Sequence, residues 1–240
     1  MEKQRIDQFI EKYNLGGLIE TVMWNVENKT LKTSFISSDK TVIGMVEMEN
    51  FNVPDDEFGV YDTKQLKGML GVLENDVEFK TVKTGEKILS LKFSDKATSL
   101  NYIAADKSII PTPPGLKKLP DFDAEITLDT AFINKFIKAK GALSEQKSFT
   151  FIVKDGKAQI ALGYVGGETN TNRIFLDVDA KVGEDAQISF SADYFKEILV
   201  ANKNATDAKM EISTKGLAHV KFEADGFVSE YYLIETDSKQ

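Results

Sequence analysis

The chain has 240 residues, 42% of them hydrophobic, with no cysteine, one histidine and a net charge of −8. That is enough apolar material for two ordinary cores. The missing cysteine excludes disulfides, thiol nucleophiles and cysteine metal sites and fits a reducing cytoplasm; no apolar run nears the roughly 18 residues of a membrane span, and the charged start at Met1–Arg5 does not open a signal peptide.

In chain order, Ile6, Phe9, Ile10 and Tyr13 share one stripe and predict a helix over 3–13. Asn28-Lys29 marks a turn. Val42, Gly44 and Val46 alternate with Ile43, Met45 and Glu47, a strand pattern. Asp62 is placed to cap a helix over 63–73, with Leu66, Met69, Leu70 and Leu73 inward. Thr84-Gly85-Glu86 is a turn before the strand Ile88–Phe93. Asp106–Phe122 then holds Pro111, Pro113, Pro114 and Pro120, four of the five prolines, and is expected to be an extended linker.

Beyond the linker, Asp129 caps a helix over 130–140 that buries Phe132, Ile133, Phe136 and Ile137. Phe149–Val153 is a strand, and Lys154-Asp155-Gly156-Lys157 is a tight hairpin turn, because Asp-Gly supplies the positive φ angles it needs. Gly163–Asn172 is a glycine-rich stretch without the strand-to-helix context of a phosphate loop, and is expected to be a mobile hairpin loop. Ser191 caps a helix over 192–203, with Phe195, Ile198 and Leu199 inside. Thr214-Lys215-Gly216 is a last turn.

These elements repeat. Ile6, Phe9 and Ile10 return as Ile133, Phe136 and Ile137 at a displacement of 127, and Asn28-Lys29 returns as Asp155-Gly156. Leu66, Met69 and Leu70 return as Phe195, Ile198 and Leu199 at 129. Leu91-Lys92-Phe93 matches Val220-Lys221-Phe222, and Tyr102-Ile103 matches Tyr232-Leu233. The chain is therefore a tandem of two α+β domains, 1–107 and 123–240, joined by a linker at 108–122. Each is expected to use a β-α-β-β-β unit twice, in antiparallel meanders.

Catalytic chemistry has no foothold here. His219 alternates with buried neighbours in Ala218-His219-Val220-Lys221-Phe222, which places it with Lys221 on the polar face as an exposed strand histidine. No second histidine exists for a metal site or a relay. The chain is expected to be no enzyme and to use no metal or cofactor. Its charges are segregated: the four helical segments carry ten basic residues and seven acids in a chain whose total is −8. Several of those acids stand in first turns, where they favour the helix dipole. Arg5, Lys12, Lys64, Lys67, Lys135, Lys138, Lys196 and Lys203 are the candidates for a shared basic surface. Lysines spaced along helices suit phosphates and read no base sequence.

Phe58-Gly59-Val60-Tyr61-Asp62, Leu66-Lys67-Gly68-Met69-Leu70 with Asn75-Asp76, Tyr102-Ile103-Ala104-Ala105-Asp106, Phe151–Lys157, and Val220-Lys221-Phe222 with Tyr231–Glu235 carry a resemblance across nearly the whole chain. They resemble the DNA sliding clamps, the processivity factors of DNA polymerases, and among them the clamp of T4-type bacteriophages. The resemblance implies two tandem clamp domains per chain and a homotrimeric ring, with sheets outside and four helices per chain lining the hole around duplex DNA. It implies tethering of the replicative polymerase, loading by an ATP-driven clamp loader, a further role with late-transcription factors, and location in the cytoplasm of the bacterial host. No membrane partner is implied. An acidic exterior would keep DNA off the outside of such a ring.

Two surfaces follow. Thr98–Ala105 and Arg173–Val178 alternate apolar and polar residues near domain edges, and are expected to pair across subunits. The linker carries Ile109, Ile110, Leu116 and Leu119, apolar side chains that need cover. The resemblance implies that the polymerase C-terminal tail docks between linker and C-terminal strand, with Ile109, Ile110, Leu116, Tyr232 and Ile234 as candidate walls. The competing reading is a two-domain β-rich phage structural or assembly protein, which would have no basic segregation on helices; a hydrolase built on Asp/Glu pairs comes after it.

Overall fold

The helices form where the apolar stripes place them, in a computed structural model that describes residues 2–116, 118–164, 171–182, 184–205 and 208–236. α1 (Lys3–Asn14) buries Ile6, Phe9, Ile10 and Tyr13 completely. α2 (Thr63–Leu70) opens on Asp62, whose carboxylate accepts the Gln65 N–H at 2.7 Å. It ends three residues before the expected Leu73: Gly68 and Gly71 weaken a helix, and Met69 is only half-buried. α3 (Thr130–Ala142) opens on Asp129, which accepts the Phe132 N–H at 2.6 Å. α4 (Ala192–Ala201) opens on Ser191, which accepts the Tyr194 N–H. It stops before the expected Lys203 because the buried Asn202 ends it, donating from Nδ2 to the Ile198 carbonyl at 2.9 Å and to the Tyr231 hydroxyl at 3.0 Å.

Among the described residues, seven strands precede the linker: β1 (Val22–Glu27), β2 (Thr30–Ile36), β3 (Val42–Met48), β4 (Asp56–Val60), β5 (Glu78–Thr84), β6 (Lys87–Ser94) and β7 (Ser99–Ile103). Nine follow it: β8 (Ala124–Leu128), β9 (Ser148–Lys154), β10 (Lys157–Leu162), β11 (Ile174–Val178), β12 (Ala180–Val182), β13 (Ala186–Ser191), β14 (Ala208–Ser213), β15 (Leu217–Ala224) and β16 (Phe227–Ile234). The chain divides into two compact units, each of which takes a short segment from the other half of the sequence. The first holds Met1–Ile36, Gly44–Pro113 and Asp225–Ser229; the second holds Ser37–Ile43, Pro114–Ala224 and Glu230–Gln240.

In the first unit the strand orders are β4-β1-β2-β3 and β5-β6-β7. Asn28 and Lys29 take φ of 51° and 61°, so Glu27 faces Thr30 across a two-residue turn whose twist matches the strands. Trp24 and Phe58 face each other across β1 and β4. Against them α1 lays Phe9, 5.4 Å from the Trp24 ring and nearly perpendicular to it, and this aromatic cluster is the centre of the unit's core. A Cβ at Gly44 would overlap the Phe35 ring.

In the second unit the orders are β12-β8-β14-β15-β16 and β11-β10-β9-β13. Asp155 and Gly156, at φ 51° and 72°, make the expected hairpin between β9 and β10. Phe136, Phe149 and Phe195 meet at 4.8–5.4 Å between α3, β9 and α4. This unit runs β8-α3-β9-β10-β11 and then β13-α4-β14-β15-β16, the expected doubled motif with β12 between. The first unit departs from it. Among the described residues, a single bridge, Glu2 with Asp76, stands ahead of α1 where the second unit has β8.

The exchanged segments explain why the division passes through two strands. Glu49 N–H donates to the Gly226 carbonyl in the first unit, and Ile234 N–H to the Thr41 carbonyl in the second, so the ends of β3 and β16 are tied together within each unit. The linker differs from a plain extended chain at its start. Asp106 caps a single 3-10 turn at Lys107–Ile109, and Ile110 is only 6% exposed, packed against Gly59 in the first unit. Of the Gly163–Asn172 stretch, residues 165–170 lie outside the described residues.

Candidate nucleic-acid interface and partner surface

The eight candidate cations fall into three groups. Lys64 and Lys67 on α2, Lys135 and Lys138 on α3, and Lys203 just beyond α4 are exposed. Of these only Lys67 is within ion-pair distance of a carboxylate among the described residues, Glu11 of α1 at 3.4 Å. Lys196 on α4 is half-buried and pairs with its neighbour Glu197 at 2.8 Å. In the second unit, therefore, α3 presents the freest positive charge, and α3 and α4 pack against each other.

Arg5 and Lys12 form the third group, and they are not the simply exposed side chains that the α1 stripe suggests. The Arg5 guanidinium donates to the Asp225 and Glu49 carbonyls, 3.0 Å each, and lies 4.9 Å from the Phe227 ring centroid. Lys12 stands 5.4 Å from the same centroid. Burial pushes its pKa down from 10.5 to about 8, against the opposing pull of Glu11 and Asp225. The β15–β16 turn at Asp225-Gly226 is thus gripped by α1 within the first unit. Both cations serve packing as well as charge, and sequence offered no sign of a partner 220 positions away.

Lys140 has left the surface altogether. It is 4% exposed, with Nζ donating to the Ser144 carbonyl at 2.6 Å and pairing with Asp193 at 2.9 Å. The signal was legible, because Lys140 continues the apolar stripe four residues beyond Phe136. His219 requires a second correction. Its side chain is 14% exposed rather than open to solvent. The ring stacks on Tyr232 at 4.6 Å and on Phe122 at 6.0 Å, with Glu211 2.9 Å from Nδ1 and Glu230 3.7 Å from Nε2. Burial and Glu230 push the Tyr232 hydroxyl up to about 12. Alternation placed His219 on the right face of β15; it could not tell that Phe122, at the end of the linker, covers that face.

The candidate partner residues are divided. Ile109, 55% exposed, and the buried Ile110 belong to the first unit; Leu116, Tyr232 and Ile234 belong to the second, with Leu116 and Ile234 each 40% exposed and Tyr232 at 5%. The two candidate pairing strands are sheet edges: β7 is outermost in β5-β6-β7, and β11 in β11-β10-β9-β13.

No family model matches this sequence, and no curated protein matches it. Solved structures do resemble its fold. Proliferating cellular nuclear antigen from Entamoeba histolytica aligns with a TM-score of 0.73 at 16% identity, covering 98% of this chain and 96% of that one. The PCNA2–PCNA3 complex from Sulfolobus tokodaii aligns with a TM-score of 0.74 at 14% identity, covering 100% of this chain and 98% of the matched chain. The fold is accordingly the α+β, two-domain clamp fold, with large antiparallel sheets and four helices.

Proposed function

We propose that this chain is a DNA sliding clamp. Three copies close into a ring around duplex DNA, and the ring tethers the replicative polymerase so that synthesis is processive. An ATP-driven loader opens and closes it, and the chain itself catalyses nothing. In the pattern of its residues it resembles the clamps of T4-type bacteriophages, so it acts in the cytoplasm of a bacterial host and also serves late transcription.

The observation that carries the reading is the unequal fate of equivalent strands. By element order, β11 is the counterpart of β3 and β7 the counterpart of β16. The ends of β3 and β16 are hydrogen-bonded together within each unit, whereas β7 and β11 are both open edges. An open edge invites pairing, and the pairing available repeats the one already made: β7 of one copy against β11 of the next. Such a junction uses two different surfaces, so it propagates head to tail and closes into a ring when the rotation allows. The exposed lysines of α2 and α3 supply sequence-independent phosphate contacts. The polymerase tail would dock an apolar anchor on the second unit beside Leu116, Tyr232 and Ile234, while Ile110 holds the start of the linker on the first unit.

Sedimentation and primer extension together test this. The expected results are a mass three times the 26.8 kDa chain and longer products from a cognate polymerase only when a loader and ATP are present. A strict monomer at tens of micromolar, or product lengths indifferent to the chain, overturns it.

A further inference from the structure

Both open edges border a cleft. Between α2 and β7 the first unit has one of about 400 Å³, with Tyr61, Met69, Ile103 and Ile109 in its walls and Asp62 beside them. Between the start of α3 and β11 the second unit has one of about 580 Å³, walled by Phe132, Phe175 and Leu176. Ile103 is 70% exposed, Tyr61 59% and Phe175 45%, so apolar surface collects at these edges. Bringing the strands together joins the two clefts into one covered core.

The charges run the other way. The second cleft carries Asp129, Asp177 and Asp179 against the single base Lys135. The first carries Asp62 and no base. The lysines nearest the end of β7 are engaged within their own unit: Lys87 pairs with Asp106 at 3.3 Å and Lys107 with Glu57 at 2.8 Å. Each copy carries a net −8 in all, these local groups included. Together the two clefts carry four carboxylates, Asp62, Asp129, Asp177 and Asp179, and one base, Lys135, around their apolar walls.

We propose that the junction between copies is an apolar contact formed against like-charge repulsion, so that salt tightens the assembly. This rests on the ring-forming reading above. The sign is opposite to that for DNA, because phosphate contacts weaken as salt rises. Repulsion among exposed carboxylates is screened over about 10 Å at 0.1 M salt and about 3 Å at 1 M. Burial of Tyr61, Ile103 and Phe175 suffers no such loss. A ring of this kind closes most readily at high ionic strength and loosens at low.

The test is sedimentation equilibrium of the full chain and of Asp177→Asn with Asp179→Asn, from about 50 to about 500 mM potassium chloride. The Asp177→Asn side chain keeps an acceptor for Gln159, which donates to Asp177 at 2.7 Å. Both sites are exposed, so thermal melting of the variant should match the parent. For the parent, the dissociation constant should fall by roughly threefold or more across that range. The variant should be tighter than the parent at low salt and respond less to salt. A trimer whose dissociation constant is flat or rises with salt, or a variant no tighter than the parent, overturns the inference and leaves the ring reading standing. A chain monomeric at every salt concentration overturns both.

Discussion

The Lys12 ammonium lies against the Phe227 ring, in a site dry enough to lower its pKa to about 8. The unfolded chain holds that proton up to about 10.5. Between those values the unfolded state binds more protons, so stability rises with pH across that window; below about 8 the folded state carries the full cost of a desolvated charge. Lys12→Met should therefore stabilise the protein most at pH 7, with the advantage shrinking towards pH 10.5. Urea unfolding of parent and variant at both ends of the window measures it, and a gap independent of pH would refute the desolvation. Gly44 makes a steric claim instead. Gly44→Ala drives a methyl group into the buried Phe35 ring and should cost about 1–3 kcal/mol. The expected signature is a lower urea midpoint at an unchanged m-value.

At the scale of an element, a helix has one face that folds and one that is free to act. α3 buries Phe132, Ile133 and Phe136 and presents Lys135 and Lys138 outward. Lys135→Glu with Lys138→Glu should leave the melting temperature nearly unchanged, because exposed charges contribute little to stability. Processive synthesis should shorten, and its dependence on salt should become shallower, because fewer phosphate contacts release fewer counterions. Product lengths equal to the parent at every salt concentration would remove α3 from the DNA surface. Elements are also where the sequence was most legible. Asp62, Asp129 and Ser191 cap helices through bonds to residues three positions on, and Asn28-Lys29 and Asp155-Gly156 set their turns with their own backbone angles. Contacts that short depend on little else.

Across the whole molecule, edges decide what the chain can join. Ile103 is 70% exposed on β7, so Ile103→Asp removes no core contact and should leave each copy folded. It should yield a species of 26.8 kDa by sedimentation, with melting like that of a parent diluted to monomer. A variant that keeps the parent's mass would mean that copies do not meet along β7.

The amino-acid sequence by itself determined the duplication, the four helices and the caps of three of them, the tight turns and the apolar stripes, since each rests on periodicities and bonds spanning a few residues. It also marked Lys64, Lys67, Lys135 and Lys138 as outward, because a helix face follows from spacing alone. Tertiary structure decided the rest. Arg5 and Lys12 meet Phe227, Phe122 covers His219, and Ile110 tucks against Gly59 through contacts that join distant stretches of chain. The same is true of the ends of β3 and β16, which are bonded to each other while β7 and β11 are edges. Alternation says which way a side chain points from a strand; only packing says what stands in front of it.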